Sequence, residues 1–340
     1  MSQVVEPEVP GIDASGRQTG GMPGGNVPAS VPSFQLESSV PDQATALPIT
    51  YTGLVGRRFR RHPGAVGGMI VFGLIVLSVI LVGFSPYDPY ASNMAERLQP
   101  PSWQHPMGTD ALGRDFMTRV LYGGRVSLAV GLMVVVIAMG IGITIGALAG
   151  YFGGWVDSLL MRITDAALTL PSFLILILLG AMLREAELPF FQRNNVISIA
   201  LVIGLLAWMT FARLVRAGLL TLREMEYVVA ARSLGASPFF LILRHLLPNL
   251  IGIIIVEATL ELGYAIIEES GLSFLGFGIQ PPIPSWGNLL SNAQDNFTKY
   301  PWLAIFPGLM IFLTIISVNY IGDGLRDAYD PHKVFMKIGS

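Results

Sequence analysis

Six long apolar runs follow one another along the chain. They cover about 64–84, 126–150, 166–183, 196–215, 250–267 and 302–321. Because an α-helix rises about 1.5 Å per residue, roughly 20 helical residues cross a hydrocarbon core of about 30 Å. The pattern therefore predicts an all-α membrane protein with six transmembrane helices, numbered here spans 1 to 6.

The N-terminal stretch has a different pattern. Residues 1–50 are rich in Pro and Gly and show no apolar periodicity, which predicts a disordered tail. This stretch does not resemble a secretory signal, because it lacks a basic start followed by a short apolar core. We therefore expect the tail to remain attached to the mature chain.

Basic residues predict the orientation in the membrane. The juxtamembrane segment 51–63 contains four arginines, namely Arg57, Arg58, Arg60 and Arg61. The other Lys and Arg residues are also more frequent on the faces joined to this end of the chain, so both termini are expected to be cytoplasmic. The remaining segments are a first outer segment (85–125), a core with spans 2 to 6 (126–322), an inner loop (226–249), a second outer segment (268–301) and a cytoplasmic tail (323–340).

Composition agrees with a membrane protein and excludes several functions. Hydrophobic residues make up 52% of the chain and charged residues 13%, with a mean hydropathy of +0.59, whereas soluble domains carry about 25% charged residues. The net charge of -2 and the lack of a large basic block argue against binding to nucleic acid. Without cysteine, the chain has no disulfide and no thiolate metal ligand.

Motifs for nucleotide or metal chemistry are missing. The sequence contains no G-x-x-x-x-G-K-[ST] phosphate cradle and no H-E-x-x-H pair. We expect no catalytic residue, cofactor site or metal site in this chain. Any ATP must then be bound by a partner.

Span 2 carries small residues at every fourth position, namely Ala138, Gly142, Gly146 and Gly150. This spacing places them on one face of the helix and allows another backbone to approach closely. We interpret that face as a helix-packing surface.

The inner loop predicts a helix, a break and a second helix. Gly235 is a typical helix stop, and Ser237 followed by Pro238 is a typical helix start. A short helix that projects from the membrane with basic flanks fits a groove on another protein. An interfacial connector helix is the alternative.

The inner loop also resembles the coupling loop of ABC-importer permeases, whose pattern is E-A-A, three residues, G, nine residues, I-x-L-P. Val229 stands in place of the first Glu, and His245 in place of the Ile. The residues in register are Ala230, Ala231, Gly235, Leu247 and Pro248. The resemblance implies that the ATPase-coupling residues are Glu226, Ala230, Ala231, Arg232, Gly235, Ala236, Ser237, Arg244, His245, Leu247 and Pro248.

Further blocks are similar to membrane subunits of peptide and nickel importers of the dipeptide/oligopeptide permease C type, over about residues 59–332. The first outer segment contains P-P-S, H-P-M-G-T-D, G-R-D and G-G-R-V-S-L, and the second contains L-S-F-L-G. The resemblance implies a type I ABC importer permease fold in a prokaryotic cytoplasmic membrane. It also implies a permease subunit that forms half of the pathway for di- or oligopeptides, with nickel or another small solute as the alternative.

The same resemblance implies the partners. They are a second homologous permease subunit, two ATPase subunits that bind ATP and Mg, and an extracytoplasmic substrate-binding protein. The chain itself is then not an enzyme, and membrane lipid surrounds its spans.

Span 5 carries ionisable residues on one face. Glu257, Glu261, Tyr264 and Glu268 lie within about 60° of one another at about 100° per residue. Because acids are costly in a membrane and mark pathways by default, we interpret this face as a pathway wall that favours cationic or amine-bearing solutes. The alternative is structural, with the acids protonated, bonded to the partner subunit or, together with Glu269, partly outside the bilayer.

An alternative hypothesis assigns the same acids to a different class of transport protein. In that hypothesis the chain is a stand-alone, proton-coupled carrier that depends on Glu257 and Glu261. Such carriers often contain internal repeats, and no similarity between the two halves of this sequence is visible.

Two smaller groups of charged residues complete the candidates. Asp110, Arg114 and Asp115 of the first outer segment are candidate outer-rim contacts, although carboxylates in such turns more often bond local backbone and neighbouring arginines. In span 4, Arg213 and Arg216 lie three residues apart. We expect at least one of them to extend to lipid phosphates, with pairing to acids of the inner loop as the alternative.

Overall fold

A computed structural model describes residues 51–185 and 195–329 of the chain. The predicted disordered tail 1–50 and the end of the tail 323–340 lie outside the described residues. Within them the secondary structure is helical apart from one isolated bridge between Thr109 and Asp115. The helices are α1 (Tyr51–Phe59), α2 (Pro63–Leu81), α3 (Phe116–Phe152), α4 (Gly154–Leu168), α5 (Ser172–Glu185), α6 (Asn195–Leu222), α7 (Glu226–Ser233), α8 (Pro238–Phe274), α9 (Trp286–Ala293) and α10 (Trp302–Tyr329).

Five of the described helices are long and apolar enough to cross a membrane: α2, α3, α6, α8 and α10. Helices α4 and α5 are together apolar enough for a sixth span, but they meet at an angle of 81°. The all-α membrane fold is therefore confirmed. The prediction of one uninterrupted helix over 166–183 is wrong, because Pro171 interrupts it: proline disfavours the helical conformation of the residue before it.

Two helices begin or end well beyond the predicted spans. Helix α3 starts at Phe116, where Asp115 caps it by accepting a hydrogen bond from the Thr118 N–H at 2.8 Å. The residues 116–125, assigned from the sequence to an outer segment, are therefore helical. Helix α10 similarly continues from the predicted end at 321 to Tyr329, so the predicted tail 323–340 begins as helix.

Helices α3 and α6 form the most extensive helix pair among the described residues. A Cβ at Gly142 would lie 2.6 Å from the Trp208 carbonyl oxygen, and one at Gly150 would lie 3.0 Å from that of Arg216. Ala138 and Gly146 are buried as well. The small residues of span 2 therefore do form a packing face, as the spacing predicted, and α6 is its partner.

We expect Gly142→Ala to destabilise the protein. The added methyl group overlaps the α6 backbone, and overpacking of this kind costs about 1–3 kcal/mol. Gly140→Ala is the matched control, because it lies in the same helix and a Cβ there meets nothing within 4 Å. The melting temperature of the detergent-purified protein should fall for Gly142→Ala only, and an equal melting temperature for both variants would contradict the packing assignment.

Candidate functional site

The inner loop has the predicted helix, break and second helix. Helix α7 ends where Gly235 adopts a left-handed φ of 87° and its N–H donates to the Arg232 carbonyl at 3.0 Å. Ser237 then caps the next helix by accepting from the Phe240 N–H at 3.3 Å, with Pro238 in the first turn. The assignments of Gly235 as helix stop and of Ser237 and Pro238 as helix start are confirmed.

The second helix of the loop is not a separate element. It passes through a π-helical segment, Ile242–Leu246, and continues as α8 to Phe274. At about 1.5 Å per residue, its 37 residues extend over roughly 55 Å. The inner loop is therefore joined directly to the helix that carries the span 5 acids.

One side of the loop is buried against the core. Val228, Leu241 and Leu246 are fully buried and pack with residues of α3 and α6. Arg232 lies over the Tyr151 ring of α3, with its guanidinium carbon 5.7 Å from the ring centroid. These contacts fix the position of α7 relative to the spans.

The other side of the loop is exposed. Leu234 is 90% and Phe239 is 72% exposed, which is unusual for large apolar side chains outside lipid or a protein contact. Val229 is exposed too, so the position of the first Glu in the family pattern carries an apolar side chain at the surface. The other exposed predicted coupling residues are Glu226, Ala230, Arg232, Gly235, Ser237, Arg244 and Pro248, while Ala231, Ala236, His245 and Leu247 are half-buried.

The four ionisable residues of span 5 lie on one face of α8, as predicted. We call this surface the acidic face; it consists of Glu257, Glu261, Tyr264 and Glu268. Glu261 is only 7% exposed, Tyr264 is 63% exposed, and the other two glutamates are half-buried. No lysine, arginine or histidine of the described residues forms an ion pair with any of the three carboxylates. The face is thus a stripe of uncompensated acids within a membrane helix.

Glu269, the next residue, has a different environment. Its carboxylate is buried, accepting hydrogen bonds from Ser127 of α3 at 2.8 Å and from Ser273 at 2.7 Å. The Ser127 hydroxyl in turn accepts from the Trp286 N–H, and the Ser273 hydroxyl from the Ile279 N–H. Glu269 therefore joins α3, α8 and the second outer segment through these hydrogen bonds.

Sequence reasoning missed this role of Glu269. The available signal was the serine in each of two family-like blocks, Ser127 in G-G-R-V-S-L and Ser273 in L-S-F-L-G. Only the fold shows that these serines meet one carboxylate.

In the first outer segment, Asp110 is used structurally. Its Oδ1 accepts from the backbone N–H groups of Leu112 and Arg114, and its Oδ2 accepts from the Arg114 Nε at 2.7 Å. Arg119 of α3 lies near the same carboxylate, with its Nε 3.4 Å from Oδ2, but this nitrogen makes no hydrogen bond. Asp110 and Arg114 also line a cavity of about 640 Å³ that reaches α9.

Asp115 has a structural environment as well. Its Oδ2 caps α3, and its Oδ1 lies 2.9 Å from His105 Nδ1, with both side chains buried. The hydrogen bonds of Asp110 and Asp115 to nearby backbone N–H groups and to Arg114 are of the structural kind that the sequence analysis gave as more common than ligand contacts.

The two arginines of span 4 pair with α4. Arg213 donates to Asp165 at 2.5 Å, and Arg216 donates through Nε and Nη2 to the two oxygens of Asp157. Helix α4 lies alongside α6 and supplies both carboxylates, and the extension of at least one arginine to lipid phosphates stays a prediction. These pairs also differ from the alternative, a pairing with acids of the inner loop.

Comparisons with known proteins agree with these features. A model of the family described as binding-protein-dependent transport system inner membrane component matches residues 142–334, and a model of the N-terminal transmembrane domain of oligopeptide transport permease C matches residues 50–101. The chain is 42% identical to the dipeptide transport system permease protein of Alkalihalophilus pseudofirmus, over 81% of this chain and 88% of the relative.

Two further relatives have similar coverage. The chain is 39% identical to the oligopeptide transport system permease protein of Mycobacterium tuberculosis, over 82% of this chain and 94% of the relative. It is 40% identical to the glutathione transport system permease protein of Pectobacterium atrosepticum, over 81% and 89% respectively.

We expect Glu269→Ala to lower stability more than Glu268→Ala. The first change leaves buried hydroxyl groups without an acceptor, at about 1–3 kcal/mol for each unsatisfied group. The second removes a neighbouring carboxylate that has no hydrogen-bond partner among the described residues. Thermal unfolding of the two purified variants measures the difference, and equal melting temperatures would show that the buried network does not hold the outer segment.

Proposed function

We infer a transport function from one premise: the chain belongs to the family of binding-protein-dependent transport system inner membrane components. It is a permease component of an ABC importer, embedded in the membrane by several apolar helices. Members of this family are membrane permeases and are not themselves enzymes.

The proposed substrates are di- or oligopeptides. Three relatives that are 39–42% identical to the chain are named for the transport of dipeptides, oligopeptides and glutathione, which is itself a peptide. All three match the chain over more than four fifths of its length. Peptides are thus the solute class that these names share.

The proposed complex contains four kinds of subunit. This chain pairs with a second homologous permease, two ATPase subunits bind ATP and Mg, and an extracytoplasmic binding protein delivers the peptide. Both termini of this chain are on the cytoplasmic side of a prokaryotic cytoplasmic membrane, with the basic segment 51–63 as the support from the positive-inside rule.

In the proposed mechanism the inner loop couples ATP hydrolysis to transport. Helix α7 enters a groove on an ATPase subunit, and movement of that groove displaces α7 together with the start of α8. One observation carries this assignment: the inner loop is buried at Val228 of α7 and exposes two large apolar side chains, Leu234 directly after α7 and Phe239 at the start of α8. A surface of that kind fits a protein contact better than an aqueous loop.

We expect the tagged chain to co-purify from native membranes with two ATPase subunits, and Gly235→Leu to abolish this association. Gly235 has a left-handed φ of 87°, a conformation that costs a side-chain-bearing residue about 1–2 kcal/mol, so the variant reshapes the break between α7 and α8. Gly276→Leu is the matched control, because Gly276 has a φ of 83° and is equally uncrowded, at the other end of α8.

Two results would contradict this assignment. One is recovery of the intact chain without ATPase subunits, and the other is loss of the ATPases from both glycine variants. Uptake by the chain alone in liposomes under a proton gradient would instead support the stand-alone carrier.

The acidic face is proposed to line the translocation pathway opposite the second permease. The supporting observation is that three carboxylates in one membrane helix have no cationic partner among the described residues. Such residues ordinarily face protein or water, not lipid. A pathway wall of this charge favours the amino terminus or lysine side chains of a peptide.

We expect the double variant Glu257→Gln/Glu261→Gln to reduce the uptake of lysine-rich peptides more than that of acidic peptides of equal length. Removing two negative charges weakens the attraction for cations and relieves the repulsion of anions. Glu185→Gln, an exposed residue of α5, is the control. Unchanged uptake of both peptide classes would remove the acidic face from the pathway, and an equal loss of both would assign it a structural role.

A further inference from the structure

Helix α1 is held in a fixed position immediately before the first span. Phe59 at its end is buried against Ala65 of α2 and Ala328 of α10. Only three residues separate it from α2, which begins at Pro63. The polar side chains of α1 are therefore presented by a packed helix at the membrane boundary.

Three arginines at this boundary surround a depression. Arg57, Arg60 and Arg61 line it together with Gly53 and Gly56, and its volume is about 530 Å³. A Cβ at Gly56 would meet nothing within 4 Å, so the space next to Gly56 is not filled by other described residues. No acidic residue lines the depression, and none of the three arginines has an ion-pair partner among the described residues.

Exposed apolar residues of the first span follow the arginines along the chain. In α2, beginning eight residues after Arg61, Met69, Ile70, Leu74 and Leu77 are half or more exposed. A molecule that places an anionic group on the arginines and an apolar chain along α2 would satisfy both surfaces. A phospholipid has this arrangement, with its phosphate at the level where the membrane helix begins.

We propose that Arg57, Arg60 and Arg61 form a binding site for the phosphate of an anionic phospholipid, whose acyl chains lie along α2. Guanidinium groups suit this ligand because their planar fork can donate two hydrogen bonds to one phosphate. Juxtamembrane arginines near a charged membrane surface are each worth about a fivefold gain in affinity. The proposal does not depend on the transported solute.

The experiment compares lipid binding by the full-length protein, purified in detergent with the subunits that accompany it. The probe is fluorescent phosphatidylglycerol, with phosphatidylcholine of the same chain length as the neutral lipid. We expect preferential binding of phosphatidylglycerol, weakened on the order of a hundredfold in Arg57→Gln/Arg60→Gln/Arg61→Gln. The matched control, Arg97→Gln/Arg162→Gln/Lys299→Gln, removes the same charge from exposed positions elsewhere and should bind like the unmodified protein.

A second variant separates binding from folding. Arg57→Lys/Arg60→Lys/Arg61→Lys keeps the charge and loses the bidentate geometry, so its affinity should lie between those of the unmodified protein and the glutamine variant. Equal affinities of all variants for phosphatidylglycerol would overturn the proposal.

Two outcomes would reassign the arginines. Competition by inorganic phosphate as effective as that by phosphatidylglycerol would identify a site for free phosphate instead of lipid. Unchanged lipid binding with loss of ATPase subunits from the glutamine variant would show that the arginines face a protein partner. Because the readout is lipid affinity, failure of this proposal leaves the transport assignment unaffected.

Discussion

The close approach of α3 and α6 is the contact on which the rest of the structure depends. Glycines on α3 allow its backbone to approach α6 closely, so that packing can hold the pair in a membrane where apolar side chains gain little from leaving lipid. Two of the three large clusters of buried residues in the described part of the chain contain residues of both helices: one includes the inner loop, and the other includes α5 and the outer half of α8. Helix α6 also supplies the arginines that hold α4.

Helix α8 connects the two ends of the molecule. The inner loop fixes its start through Leu241 and Leu246, and the Glu269 network fixes its end to α3 and to the second outer segment. The acidic face lies between these two anchors. A π-helical segment interrupts the regular helix within the inner loop, and such segments often occur at functional sites. This arrangement gives the proposed coupling a physical route from α7 to the outer segments.

The charged side chains of the described residues fall into two groups, those with hydrogen-bond partners within the protein and those without. Glu269, Asp110 and Asp157 have their hydrogen bonds supplied within the protein. The carboxylates of the acidic face and the side chains of Arg57, Arg60 and Arg61 have no ion-pair partner among the described residues. Since an unpaired charge near lipid is costly, the second group is where ligands or partner subunits are expected to act. This distinction separates structural from functional candidates without reference to the family.

The sequence by itself determined the membrane class, most spans and the local shape of the inner loop. These follow from short-range physics: an apolar run of about 20 residues must cross the bilayer, Gly235 accepts a left-handed conformation, and Ser237 with Pro238 starts a helix. It also placed the glutamates on one face, because helical periodicity relates residues within a few turns. The glycine stripe predicted a packing face for the same reason.

Only the tertiary structure decided which groups meet across the fold. The pairing of α6 with the glycine stripe, of Arg213 and Arg216 with α4, and of Ser127 with Glu269 joins residues up to 142 positions apart. The early start of α3 also depends on neighbours, because Gly123 and Gly124 favour a turn in isolation but fit a helix packed on Ser285 and Trp286. Local patterns fix local conformation, whereas long-range contacts depend on how the helices pack.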